Sequence, residues 1–117
     1  MNTRKVGTHY EKRAADELKR RGYRVIETNY RCKFGEIDIV ARDGDYFVFV
    51  EVKYRKNAAA GDPLEAVGYR KIKKICMTAT NFMMKRHLSI DTPIRFDVVS
   101  ILGDKFTLIQ NAFDYIG

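Results

Sequence analysis

Four charged residues in the first half of the chain have the types and spacing of a metal-dependent catalytic site. Glu36 and Asp38 alternate with isoleucines, and Glu51 and Lys53 directly follow the apolar run 46–50. A carboxylate in an apolar strand must be paired or must bind a metal ion, and one lysine can neutralise only one of three acids. Divalent cations such as Mg²⁺ prefer carboxylate oxygens as ligands. The pattern therefore predicts a site for Mg²⁺ or Mn²⁺ with a lysine beside it.

The strands that carry these residues are predicted to form a hairpin, because Asp43-Gly44 favours a two-residue type I′ turn. Pairing outward from this turn places Asp38 opposite Phe49. Two residues further on, Glu36 lies opposite Glu51. Asp38 and Glu51 would then be diagonal neighbours, about 7–8 Å apart at the backbone and able to bind one ion. Because side chains alternate along a strand, one face is predicted to carry Glu36, Asp38, Phe47, Phe49, Glu51 and Lys53.

This spacing resembles a signature of nucleases. Asp38 followed by Glu51-Val52-Lys53 on the next strand resembles the Asp…Glu-x-Lys motif of restriction-endonuclease-like (PD-(D/E)xK) nucleases. More closely, the chain resembles the YraN-like family of bacterial proteins, which is placed in this superfamily beside Holliday junction resolvases. The resemblance covers nearly the whole chain and is carried by Gly35-Glu36-Ile37-Asp38, Phe49-Val50-Glu51-Val52-Lys53 with Arg55, and Arg95-Phe96-Asp97. It implies an α/β sandwich of the restriction-endonuclease-like class.

The order of the predicted elements agrees with that fold class. A helix, three strands, a second helix and two further strands fit an α/β sandwich with a mixed five-stranded sheet flanked by helices. Besides the hairpin, strands are predicted at 23–30, 94–102 and 105–109, and 46–50 is apolar on both faces, as in a central strand. At 117 residues, the chain is predicted to be a single domain spanning 1–117.

Metal-dependent hydrolysis of phosphodiester bonds is the activity that such a site would support. Asp38 and Glu51 would hold one or two Mg²⁺ or Mn²⁺ ions, helped by the backbone carbonyl of Val52. A bound divalent cation lowers the pKa of a water ligand and neutralises charge on the phosphate. Lys53, held between carboxylates, would orient that water or stabilise the developing charge rather than act as a base.

Glu11 is the third candidate metal ligand. A helix is predicted from about Thr8 to Arg21, where Gly22 ends it. Its apolar face consists of Tyr10, Ala14, Ala15 and Leu18. Resolvases and related nucleases carry a glutamate near this point that supports the metal, and the resemblance assigns that role to Glu11. The alternative is an acid in the first turn of the helix, stabilised by the helix dipole.

Basic residues indicate a polyanionic partner. The net charge of +7 at pH 7 suits nucleic acid, and DNA is favoured over RNA. The candidate phosphate-binding residues are Arg31, Arg55, Lys71 and Lys74. The first belongs to a predicted loop at 29–34, and the two lysines belong to a helix predicted to begin at Asp62-Pro63 and end at about 86. For these lysines the alternative is an ordinary solvated helix face.

The sequence features leave two function classes open. The first is a nuclease, and the second is a non-catalytic nucleic-acid-binding module that keeps the geometry of the site. Three inward carboxylates favour the nuclease, because they repel phosphate and would hinder simple binding. A resolvase-like enzyme should also form a homodimer to cut two strands symmetrically. Without a signal peptide or an apolar span of about 20 residues, the chain is predicted to be cytoplasmic and not a membrane protein.

Several other polar residues receive weaker assignments. Asp97 is predicted to pair with Arg95 or Lys53, or else to join the site, and the sequence leaves these alternatives open. It also leaves open whether Glu36 is a ligand. The isolated Cys32 and Cys76 are predicted to be free thiols, and the lone His9 and His87 to be surface or packing residues.

Overall fold

The structure of the protein is a computed structural model that describes residues 3–56 and 68–117, with side chains from residue 9 onward. Its elements are α1 (Thr3–Arg20), β1 (Arg24–Cys32), β2 (Gly35–Asp43), β3 (Tyr46–Arg55), α2 (Tyr69–Lys85), β4 (Ile94–Leu102) and β5 (Lys105–Ile109). The strands form one sheet in the order β1-β2-β3-β4-β5. Neighbouring strands are antiparallel except β3 and β4, which are parallel. The predicted α/β class with a mixed five-stranded sheet is confirmed.

Each face of the sheet is covered by one helix. Within 47–50 of β3, the phenylalanines pack toward α2 together with Phe82, and the valines pack toward α1 together with Leu18. All four residues of this run are buried, which confirms the predicted central strand. Burying a large apolar side chain contributes about 1.5–3 kcal/mol, so β3 is firmly held and the polar residues that follow it stand on a rigid support.

The first helix has the predicted apolar face and the predicted end. Ala14 and Leu18 are completely buried, and Gly22 follows the helix with φ +95°. Its start is earlier than predicted, because α1 begins at Thr3 rather than near Thr8. Extending an existing helix adds one hydrogen bond for each residue fixed, so a capping residue inside the pattern need not mark the first turn.

The turn of the β2–β3 hairpin consists of Gly44-Asp45, whereas the sequence predicted Asp43-Gly44. The glycine still supplies the positive φ, at +59°. Pairing is shifted by two residues, so Phe49 lies opposite Val40 rather than Asp38. Because a two-residue shift preserves the alternation of side chains, the paired residues keep their predicted faces. Ile37, however, packs on the α2 side with Phe49, so the prediction that Glu36 shares that face is wrong.

The first strand continues further than predicted. Its pairing with β2 reaches Cys32↔Gly35, so Arg31 lies in a strand and not in the predicted loop 29–34. The ring of Tyr30 packs edge-on against a phenylalanine of α2, with 5.2 Å between the ring centroids. This contact keeps the end of β1 in the sheet, where the basic residues had suggested a solvated loop.

Replacing Gly35 with alanine is expected to lower the free energy of unfolding by about 1–2 kcal/mol. Gly35 has φ +153°, and a Cβ atom there would lie 3.3 Å from Thr78 Oγ1 of α2. Urea denaturation would measure the loss. The matched control is Gly68→Ala, because a Cβ atom at Gly68 meets nothing within 4 Å. Equal losses in the two variants would contradict this account of Gly35.

The strands of the C-terminal half agree closely with those predicted from the sequence. The bounds of β4 and β5 are those predicted, and α2 ends one residue before Arg86. The predicted continuous helix from Asp62-Pro63 to about 86 is wrong, because Gly68 has an extended backbone and caps a helix that begins at Tyr69. The predicted start itself lies outside the described residues. The tail packs on the sheet, since the ring of Phe113 stacks on Phe96 at 5.0 Å between centroids. Within the described residues, neither helix has the length and apolar character needed to cross a bilayer.

Candidate metal centre

The candidate site lies where β2 and β3 separate. Backbone pairing between the two strands ends at Ile39↔Val50. The next residues in this register are Asp38 and Glu51, so these acids lie at the same level instead of being diagonal neighbours. The predicted pairing of Glu36 with Glu51 is therefore wrong. The separation leaves room between two central strands for side chains that would otherwise be excluded from a closed ladder.

The carboxylate of Asp38 takes the place of a backbone acceptor at this point. The Val52 N–H group donates a hydrogen bond of 2.7 Å to Asp38 Oδ2. This bond crosses the gap between β2 and β3 and holds the Asp38 side chain in one orientation. A side chain fixed by such a bond is positioned before any ligand arrives, which is what a metal site requires of its ligands.

Three carboxylates converge at the gap. Glu11 from α1 and Glu36 and Asp38 from β2 each offer an oxygen atom, and these atoms lie within 4.8 Å of one another. The helix thus brings Glu11 to the sheet, as the resemblance implied. The alternative role of Glu11 in the first helical turn is wrong, because α1 begins at Thr3 and its first turn carries no acid.

The environment of Asp38 and Glu11 opposes their ionisation. Burial and, second, the nearby charge of Glu51 together raise the pKa of Asp38 from 3.8 to about 8, although the Val52 N–H opposes the shift. Burial also raises the pKa of Glu11, while a hydrogen bond from Asn29 lowers it. Like charges held together in a partly buried place are unfavourable unless a cation neutralises them. The cluster therefore favours a proton or a positive ion.

Glu51 has a different set of partners. It is buried, and its Oε1 atom lies 3.3 Å from Lys53 Nζ and 3.4 Å from Lys71 Nζ. Lys53 of β3 and Lys71 in the first turn of α2 thus contact the same carboxylate. Among the described residues, the three-carboxylate cluster does not include Glu51, which faces α2. Asp38 lies between the other acids of that cluster and the group formed by Glu51 with its two lysines.

The other candidate phosphate-binding residues are distributed around this centre. Arg31 Nε lies 3.3 Å from Glu36 Oε2, at the edge of the cluster. Lys74 is exposed on α2, one turn after Lys71. The side chain of Arg55 is half-buried at the end of β3, and its carbonyl accepts a hydrogen bond from the Gly103 N–H.

Asp97 belongs to a separate polar network. It is fully buried and accepts hydrogen bonds from Arg95 at 2.9 Å, from the Tyr23 hydroxyl at 2.7 Å and from the Asn111 N–H at 2.9 Å. Of the two partners that the sequence allowed, the structure selects Arg95 and not Lys53. Tyr23 belongs to the core beneath α1, so this network lies on the face of the sheet opposite α2.

Sequence reasoning missed two features next to the cluster. Asn29 lies in the middle of β1 with φ +56°, level with Asp38 in the β1–β2 register. The signal was available, since asparagine is depleted in strands. In addition, the rings of Tyr10 and Tyr54 stack at 3.6 Å between centroids. This contact packs α1 against β3 next to Glu11, because Tyr10 directly precedes Glu11 in the helix.

The histidines and cysteines lie apart from this chemistry. His9 and His87 are exposed, as expected for surface residues. Cys32 and Cys76 are free thiols, as predicted. None of the four joins the carboxylate cluster in the part of the chain that the structure describes.

Fold and site together define an α/β protein whose partly buried carboxylates gather where two central strands separate. Residues 10–101 match the family model described as "Uncharacterised protein family UPF0102", and the chain belongs to this family. It is 47% identical over 117 residues to a UPF0102 protein of Lachnoclostridium phytofermentans, covering 100% of this chain and 99% of that one.

Relatives in other bacteria match over similar lengths. A UPF0102 protein of Fusobacterium nucleatum is 43% identical over 95% of this chain and 92% of its own length. A UPF0102 protein of Legionella pneumophila is 41% identical over 96% of this chain and 97% of its own. Family membership thus extends over the whole fold described here, including the strands of the candidate site.

Proposed function

We propose that this protein is a metal-dependent endonuclease that hydrolyses phosphodiester bonds in nucleic acid. The observation that carries the proposal is the position of Asp38. It lies partly buried at the gap between β2 and β3, bonded to the Val52 N–H and surrounded by the acids Glu11, Glu36 and Glu51. Its order relative to Glu51-Val52-Lys53 also resembles the Asp…Glu-x-Lys motif of restriction-endonuclease-like nucleases.

The donor set fits a hard divalent cation. Asp38, Glu11 and Glu51 are the proposed ligands for Mg²⁺ or Mn²⁺, and Glu36 is a fourth carboxylate within reach of the first two. Carboxylate oxygens without imidazole or thiolate are typical of Mg²⁺ and Mn²⁺ sites. The ion would supply an activated water at neutral pH and neutralise charge on the phosphate.

The lysines of the site provide positive charge on its α2 side. Lys53 and Lys71 both contact Glu51 Oε1, so two cationic side chains meet at one carboxylate. An ammonium group at this position can bind a phosphate oxygen and stabilise negative charge that develops during bond cleavage. Lys53 therefore acts as an electrostatic group in this proposal, and a proton acceptor is not required of it.

Basic residues around the site would bind the nucleic-acid backbone. Arg31, Lys71 and Lys74 are exposed near the cluster and Arg55 follows Lys53 on β3, in a protein with a net charge of +7. Phosphate contacts of this kind position a substrate without reading its sequence. DNA is the proposed substrate ahead of RNA, with branched DNA and a homodimeric enzyme as the finer proposal from the resolvase resemblance.

The test is cleavage of labelled single-stranded DNA, duplex, flap, four-way junction and structured RNA with Mg²⁺, Mn²⁺ or EDTA. Replacing Glu51 with glutamine is expected to reduce metal-dependent cleavage to background, because the amide keeps the shape but loses the charge of the ligand. Glu27→Gln is the matched control, since Glu27 is an exposed acid on β1, and it should cleave as the wild type does. Cleavage that persists in Glu51→Gln or in EDTA would contradict the proposal.

A second candidate function follows from the ion pairs of Glu51. Because Lys53 and Lys71 already neutralise this carboxylate, the site can be held together without metal in a module that only binds nucleic acid. Such a module would bind at least one nucleic acid of the panel with equal affinity in Mg²⁺ and in EDTA, and would cleave none of them.

A further inference from the structure

The backbone of Asn29 has an uncommon conformation for a residue in a strand. Its φ of +56° places it in the left-handed region, which residues other than glycine rarely adopt. The residues on either side remain regularly paired, with Thr28 opposite Ile39 and Tyr30 opposite Ile37. The conformation therefore inserts no residue, but Asn29 and Asp38, which are level with each other, form no pair in the ladder. Strain of this kind persists only where the surrounding structure maintains it, and it concentrates at functional sites.

The side chain of Asn29 acts on the carboxylate cluster. Asn29 is level with Asp38 on the neighbouring strand, and its side chain hydrogen-bonds the carboxyl group of Glu11 on α1. An amide bonded to an ionised carboxylate must donate through its N–H group. Asn29 thus connects the helical member of the cluster to the strand that flanks the other two.

A hydrogen-bond donor at this position counteracts the repulsion between the acids of the site. Glu11 reaches the cluster from a helix, and the charge of Glu36 repels it there. Asp38 also hydrogen-bonds the Glu11 carboxyl group, but a bond between two carboxyl groups needs a shared proton, which a bound cation would displace. The Asn29 amide can hold the Glu11 carboxylate when both acids are ionised. Partners that fix the orientation of metal ligands typically change metal affinity 10–100-fold when they are removed.

We infer that Asn29 is a positioning residue that holds the Glu11 carboxylate in place to bind a divalent cation. The inference rests on the proposed metal site and adds to it a residue that touches neither the ion nor the substrate. Asparagine is suited to this role because it combines an amide donor with tolerance of the left-handed backbone.

The test is calorimetric titration of Mn²⁺ into the intact protein and into Asn29→Gly. Glycine accepts the left-handed backbone, so the variant should keep its stability while its affinity for Mn²⁺ falls about 10–100-fold. Asn111→Gly is the matched control, because Asn111 has φ +52° but lies in the Asp97 network. It should bind Mn²⁺ as the wild type does.

A second pair of titrations separates positioning from a general structural effect. In a protein that already carries Glu11→Ala, adding Asn29→Gly should produce no further loss of affinity, because the carboxylate that it positions is gone. Equal Mn²⁺ affinity in wild type and Asn29→Gly would overturn the inference, as would a full additional loss in the Glu11→Ala protein. Absence of Mn²⁺ binding by the wild type itself would instead overturn the proposed metal site and this inference with it.

Discussion

Replacing Arg95 with methionine is expected to lower the free energy of unfolding by about 3–5 kcal/mol. The reason is Asp97, which has no exposed surface and whose two oxygens both accept hydrogen bonds from Arg95. Removing the guanidinium leaves a buried carboxylate without its counter-charge. The neighbouring Tyr23 hydroxyl cannot replace that charge, because a phenol never carries a positive charge. Burial and the contact with Asp97 raise the pKa of Tyr23 to about 12, so it remains a neutral hydrogen-bond donor.

The loss extends to other segments, because Arg95 also bonds Asp43 at the end of β2 at 2.9 Å. The measurement is urea denaturation. The matched control is Arg20→Met, which breaks an exposed pair with Glu17 and should change stability by less than about 1 kcal/mol. Adding Asp97→Asn to Arg95→Met should recover part of the loss, since the unpaired charge is then removed. A loss below about 1 kcal/mol in the single variant would contradict this account.

Replacing Asp38 with asparagine is expected to abolish metal-dependent cleavage and, in the absence of metal, to stabilise the fold. The amide oxygen of asparagine can still accept the Val52 N–H, so the change removes mainly the charge. In the wild type, the folded protein holds the Asp38 proton more tightly than the unfolded chain, because its pKa rises from 3.8 to about 8. Stability due to this group therefore falls as pH rises from about 4 to about 8.

The measurement is urea denaturation of both proteins in EDTA at pH 5 and pH 8. At pH 8 the Asp38→Asn variant should be more stable than the wild type by about 2–4 kcal/mol, and the difference should be smaller at pH 5. Adding Mg²⁺ at pH 8 should stabilise the wild type and leave the variant unchanged. A metal-free wild type that is the more stable protein at pH 8 would show that Asp38 is a structural group and not a ligand held against repulsion.

The candidate residues on β2 and β3 could be found from sequence because their charges interrupt apolar strands. The pairing of those strands could not, because Asp43-Gly44 and Gly44-Asp45 are both acceptable turns and both keep the alternation of side chains. Only the separation of the strands at Asp38, with the Val52 N–H bonded to its carboxylate, distinguishes the two registers. That is a tertiary feature with no local signal.

Contacts between distant elements could be predicted only in part from the sequence. The apolar pattern of α1 predicted which face meets the sheet, and the family resemblance assigned a role at the site to Glu11. Pairing of Lys71 with Glu51 depends on how α2 lies across β3, which no periodicity encodes. For Asp97, the sequence allowed two basic partners. The partner is Arg95, which lies two residues away on β4 and also bonds Tyr23, whereas Lys53 pairs with Glu51.

The network around Asp97 also constrains when folding can finish during synthesis. Tyr23 accepts a hydrogen bond from Gln110, 87 residues later in the chain, and Asp97 accepts one from the Asn111 N–H. Pairing of β1, β2 and β3 needs only residues made early, and it can begin while synthesis continues. Closure of the buried charges must wait until residue 111 has left the ribosome, so emerging chains that stop short of it hold Asp97 in an incompletely bonded state.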